Sequence, residues 1–198
     1  MDFTRLEKKD LLFAGFMISL AFAILLSTGV NVFFSLDPKV FIVFIFAFLT
    51  AGVGFLLHEL MHKYVAQSYG FSAEFRAFKP MLWLALAFSF FGFIFAAPGA
   101  VFIDGRISKK QNGKISLAGP LTNIVLALVF LILILIIRPT GLFLEFLSFG
   151  LTINSLLGAF NMIPAMPFDG AKIIAWDKTV YFTTLIIAVG LYVGSYFV

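Results

Sequence analysis

Charged residues fall into a few short clusters along this chain, and long charge-free stretches run between them. The stretches are Leu11 to Leu36, Val40 to Leu57, Pro80 to Ile103, Ile115 to Ile137, Phe146 to Phe168 and Thr179 to Val198. Each approaches or exceeds the roughly 20 apolar residues a helix needs to cross a bilayer. The pattern predicts an all-α polytopic membrane protein with about five transmembrane helices, or six if residues 80–103 cross completely. Polar, helix-breaking groups separate the runs: Asp37-Pro38-Lys39, then Arg138-Pro139-Thr140-Gly141, then Asp177-Lys178. The second helix is expected to outrun its charge-free stretch and stop at Gly70. No internal repeat, low-complexity tract or shift in composition marks a second domain, so residues 1–198 read as one membrane-embedded domain.

Residues 80–103 are ambiguous, because Gly92 and Pro98-Gly99 interrupt the run. A re-entrant or strand-like segment there leaves five spans. With the N-terminus in the cytoplasm, twelve of the 14 Lys and Arg residues then lie inside, and only Lys39 and Arg138 lie outside. A complete crossing would move the basic cluster from Arg106 to Lys114 outside and remove most of that asymmetry. The re-entrant topology is therefore the expectation.

Composition agrees with a bilayer protein: 62% of residues are hydrophobic, 12% are charged, and the mean hydropathy is +1.07. Cysteine is absent, which excludes disulfides and thiolate chemistry. The net charge of +4 is explained by basic cytoplasmic loops and does not call for nucleic acid. Arg5, Lys8 and Lys9 precede an apolar run too long for a cleaved signal, so it reads as an uncleaved first span.

Both histidines of the chain sit within "LLHELMHKYVAQ", residues 56–67. On a helix His58 and His62 project from one face a turn apart, the spacing of two metal ligands. Glu59 adjoins the first histidine, placed to act on water without itself taking a coordination position. The three read as His-Glu-x-x-His, the signature of zinc hydrolases. With 2 His and 4 Glu in 198 residues, chance would produce this pattern in roughly four of ten thousand such chains. Burying such groups in an apolar helix is also costly unless they are coordinated, paired or wetted.

A catalytic zinc usually takes three protein ligands. With no third histidine, the remaining ligand must be a carboxylate. Asp37 and Glu145 fall on the far side in the five-span topology, and Asp2, Glu7 and Asp10 belong to the polar flank of the first segment. Glu74, Asp104, Asp169 and Asp177 remain. Asp169 stands out in "NMIPAMPFDG", residues 161–170, where Pro164 and Pro167 would unwind the end of a span. Irregular backbone at membrane depth is tolerated only where it is buried in protein or lines a watery cavity.

"HELMH", "LAGPLTN" and "FNMIPAMPFDG", in that order, resemble the site-2 protease family of intramembrane zinc metalloproteases. The resemblance covers roughly residues 50–176 and is to a short form without appended soluble domains. It implies Zn²⁺ held by His58, His62 and Asp169, with Glu59 as catalytic base. Asn161, Pro164, Asp169 and Gly170 match the family's Asn-x-x-Pro…Asp-Gly segment. Asn123 matches a polar position that helps to hold substrate or oxyanion. "APGAVFIDG" resembles the family's membrane-associated strand region, although Pro98-Gly99-Ala100 departs from the commoner Pro-Gly-Gly. Ala171-Lys172 likewise departs from the Gly-Arg of many relatives.

The expectation is thus a zinc endopeptidase of the cell membrane that cuts transmembrane segments of other proteins near their cytoplasmic ends. Its catalytic core would span about 40–176, with flanking helices at about 11–36 and 179–198. Its partners would be those segments and the lipid bilayer. An ion or proton transporter or channel would explain buried His, Glu and Asp groups but not their spacing. A non-catalytic binder of membrane segments would not need every catalytic position filled. A di-iron bundle would need a second Glu-x-x-His, for which no histidine remains.

Overall fold

The structure is a computed structural model that describes residues 1–27, 38–94 and 98–198. The chain runs through α1 (Arg5–Leu26), α2 (Pro38–Ala47), a π-helical turn (Phe48–Gly52), α3 (Val53–Ser68), β1 (Ser72–Ala77) and α4 (Lys79–Ser89). It continues through β2 (Gly99–Asp104), α5 (Lys109–Ile137), α6 (Leu142–Asn161), α7 (Asp169–Trp176) and α8 (Lys178–Gly194), with a 3-10 turn at Ser195–Phe197. Among the described residues five helices are long and apolar enough to cross a membrane: Arg5–Leu26, Lys39–Ser68, Lys109–Ile137, Leu142–Asn161 and Lys178–Phe197. The protein is a multi-pass membrane protein, with one two-stranded sheet among the described residues.

Residues 80–103 do not form a sixth crossing helix. Their helix, α4, has 11 residues and a length of about 16 Å, roughly half the hydrocarbon thickness. It stops at Ser89, and after Pro98 the chain is a strand. α1 begins at Arg5, six residues before the expected Leu11, because Thr4 caps it by accepting the Glu7 N–H at 3.1 Å. Asp37 of the expected turn lies outside the described residues, and so do residues 28–36 of the first apolar run.

Two compact units divide the chain. In residues 2–56 and 74–102, α1 packs against α2, the π-helical turn and α4. Ala14, Met17, Ile18, Ala21 and Phe22 form its buried side, and Phe16 meets Phe44 edge to face. β1 and β2 pair antiparallel, with the Phe78 N–H donating to the Pro98 carbonyl at 3.0 Å. That register turns the amides of Phe75 and Ala77 away from β2. Both are met by carboxylates of α1: Phe75 N–H donates to Glu7 at 3.0 Å and Ala77 N–H to Asp10 at 3.3 Å. Glu7 and Asp10 are therefore buried acceptors that close the outer edge of β1, and not the polar flank the sequence pattern suggests.

The other unit comprises residue 1, residues 57–73 and residues 103–198. A capping box starts α5, Ser108 and Gln111 exchanging side-chain-to-amide hydrogen bonds. α5 and α6 pack along Ala127, Ile134, Leu147 and Leu151. α7 and α8 close over Met162, Ile173 and Tyr181. α6 ends at Asn161, ahead of Pro164 and Pro167, and helix resumes only at Asp169. The two prolines thus interrupt the chain where they were expected to.

Candidate metal centre

α3 carries His58 and His62 one turn apart, with their rings edge to face and 4.6 Å between centroids. Both are buried, at 4% and 7% exposure, which in an apolar helix requires a partner for each ring nitrogen. Nδ1 of His62 donates to the Ile115 carbonyl at 2.7 Å. Nδ1 of His58 lies 2.6 Å from Oδ1 of Asn123. With both Nδ1 atoms engaged on α5, both Nε2 atoms turn toward Asp169. Its Oδ2 stands 3.3 Å from Nε2 of His58 and 3.0 Å from Nε2 of His62.

Asp169 reaches that position because α6 stops short and α7 restarts on it. As the first residue of α7 its carboxylate also benefits from the helix N-terminus. Gly170 makes the approach possible: a Cβ there would strike the backbone carbonyl of Met162. Nζ of Lys172 lies 3.6 Å from Oδ1 of Asp169.

The donor set fits a zinc ion. Two ligand atoms each about 2.0–2.1 Å from a tetrahedral zinc stand about 3.3 Å apart, close to the 3.3 and 3.0 Å between Oδ2 of Asp169 and the two Nε2 atoms. The three ligand atoms lie within 4.8 Å of one another, and this is the one such cluster of His, Asp and Glu among the described residues. A Cβ built on Gly119 of α5 would stand 2.4 Å from Nε2 of both histidines, so only glycine lets α5 pack this closely on the two ligand rings.

Glu59 is buried beside this cluster, within electrostatic reach of His58, Asp169 and Lys172. Among the described residues its carboxylate accepts no hydrogen bond, and its oxygens remain reachable by a water molecule. The other carboxylates considered as ligands are engaged or sit elsewhere. Glu74 pairs with Arg76 at 2.8 Å and accepts from Thr4, Asp177 caps α8 by accepting the Val180 N–H at 3.1 Å, and Asp104 ends β2 in an exposed position. Asn161 is not brought to the ligands; its side chain donates to the Leu157 carbonyl of its own helix at 3.0 Å.

One residue of the site was not singled out from sequence. Asn154 of α6 is fully buried and accepts from Nδ2 of Asn123 at 3.1 Å. Its signal was one of two carboxamides, with Asn161, within the charge-free run from Phe146 to Phe168, where an unpaired polar group is costly.

Among proteins of known name, the chain is 46% identical over 142 residues to "Putative zinc metalloprotease MJ0611" of Methanocaldococcus jannaschii, a match covering 71% of this chain and 74% of that protein. It is 33% identical over 130 residues to "Zinc metalloprotease MJ0392" of the same organism, covering 64% of this chain and 32% of that protein. It is 28% identical over 148 residues to "Putative zinc metalloprotease YwhC" of Bacillus subtilis, covering 64% and 66%. No family model and no solved structure matches the chain.

Proposed function

We propose, for a chain that belongs to the site-2 protease family of zinc metalloproteases, that it is an intramembrane endopeptidase hydrolysing peptide bonds within transmembrane segments of other membrane proteins. The observation that carries this reading is the convergence of His58, His62 and Asp169 at one buried point, with the buried carboxylate of Glu59 within electrostatic reach of them. His58, His62 and Asp169 would hold the ion. When bound, Zn²⁺ supplies Lewis acidity that polarises a carbonyl and makes water nucleophilic near neutral pH.

Glu59 accepts the proton of the water that attacks the scissile carbonyl carbon. As the carbon–nitrogen bond breaks, Glu59 returns that proton to the leaving amine. A substrate helix hides its carbonyls in intrahelical bonds, so it must unwind before attack, and helix-destabilising residues near the scissile bond speed cleavage. An extended stretch of substrate pairs with the edge of β2 that faces away from β1, the outer edge of β1 being taken by Glu7 and Asp10. The distribution of Lys and Arg supports an N-terminus and an active-site opening on the cytoplasmic side.

A transporter that relays an ion through buried carboxylates and imidazoles has no need of three ligand atoms at coordination spacing. The protease reading is tested by incubating the purified protein with a model transmembrane substrate in vesicles and locating the cut by mass spectrometry. A cut inside the transmembrane segment is expected. Products cut only in soluble loops, or no products at all, would overturn the reading.

A further inference from the structure

A chain of hydrogen bonds runs from the backbone of α6 to the first histidine of the metal cluster, and its polarity is determined from one end. Nδ2 of Asn154 lies 2.9 Å from the carbonyl of Gly150. A backbone carbonyl can only accept, so the NH₂ of Asn154 must face it, and Oδ1 of Asn154 must face Asn123. An oxygen in that place requires the NH₂ of Asn123, seen at 3.1 Å. Asn123 is thereby turned so that its own Oδ1 meets Nδ1 of His58 at 2.6 Å. An accepting oxygen there requires a proton on Nδ1, which leaves Nε2 of the neutral ring as the lone-pair atom on the side of Asp169. Asn123 and Asn154 are both 0% exposed, so no bulk water can substitute for a lost link. The ring of Phe130 packs against Gly150, where a Cβ would strike it.

We infer that Asn154 and Asn123 form a polarity relay that sets the tautomer and orientation of His58 for metal binding, so that Asn154 is a positioning residue two side chains removed from the ion. The inference rests on the metalloprotease reading above. His62 obtains the same result directly from the Ile115 carbonyl. The two ligands are therefore oriented by different means, and only His58 depends on side chains that can rotate. Outer hydrogen-bond partners of ligating histidines typically contribute about 10–100-fold in metal affinity.

The test measures Zn²⁺ affinity by chelator competition, and the visible spectrum of the Co²⁺-loaded protein, on the purified full chain. Asn154→Leu removes the side-chain oxygen that accepts from the NH₂ of Asn123, and is expected to weaken Zn²⁺ binding about 10–100-fold and to shift the Co²⁺ spectrum. Asn123→Asp needs no orienting, because both carboxylate oxygens accept. The double variant Asn123→Asp/Asn154→Leu is therefore expected to recover most of the lost affinity, which a packing defect at Asn154 would not allow. Helical circular dichroism checks folding, and Asn154→Ser carries the same expectations should the Leu variant lose its helices. Unchanged affinity in the single variant, or a loss that Asn123→Asp does not recover, would overturn the relay and leave the protease reading standing. A wild type that binds no Zn²⁺ would overturn both.

Discussion

Oδ2 of Asp169 stands 3.0 Å from Nε2 of His62, although the two residues lie on helices far apart in the chain. The contact exists because two prolines end α6 early and Gly170 lets α7 start against the Met162 carbonyl. Asp169→Ala should therefore remove stoichiometric zinc. The loss should exceed the about 10–100-fold typical of an outer hydrogen-bond partner, because a ligand itself is gone. Metal analysis of the purified variant reads this directly, and a variant that keeps one zinc per chain would mean another residue is the third ligand.

Gly119 tests how the two ligand rings are held. Replacing glycine by alanine within a helix normally stabilises it by about 1 kcal/mol. Here the added methyl would stand 2.4 Å from Nε2 of both histidines and push the two rings out of place. Gly119→Ala should keep its helical circular dichroism and lose its metal. Equal zinc content in wild type and variant would show that this close packing of α5 on the two rings is not needed to hold the ion.

Glu7 and Asp10 should matter to the strand and not to the metal. Removing either carboxylate leaves a β1 amide without its acceptor, a cost of roughly 1–3 kcal/mol. Hydrogen exchange at Phe75 should accelerate in Glu7→Ala, and at Ala77 in Asp10→Ala, with zinc content unchanged. Unaltered exchange at both amides would mean that α1 does not close this edge.

Much of the site was readable from the chain because its signals are local. Four-residue spacing places His58 and His62 on one helical face whatever surrounds them, and Pro164 and Pro167 break a helix by covalent structure alone. Five spans followed from run lengths and charge placement. Contacts between distant elements left no such trace. Glu7 and Asp10 look like a solvated flank until the register of β1 aims two amides at them. Asn154 looks like a tolerated polar residue until Asn123 is found beside it. The role of Gly119 is invisible in sequence, because what matters is the side chain it lacks and the two nitrogens facing that gap.

The central claim is that His58, His62 and Asp169 hold zinc while Glu59 moves the proton. It is tested most directly by measuring zinc content and cleavage of a model transmembrane substrate side by side for wild type, Glu59→Gln and His58→Ala. The account predicts zinc and cleavage in the wild type, zinc without cleavage in Glu59→Gln, and neither in His58→Ala. Full cleavage by zinc-loaded Glu59→Gln, or cleavage by a wild type that carries no metal, would contradict it.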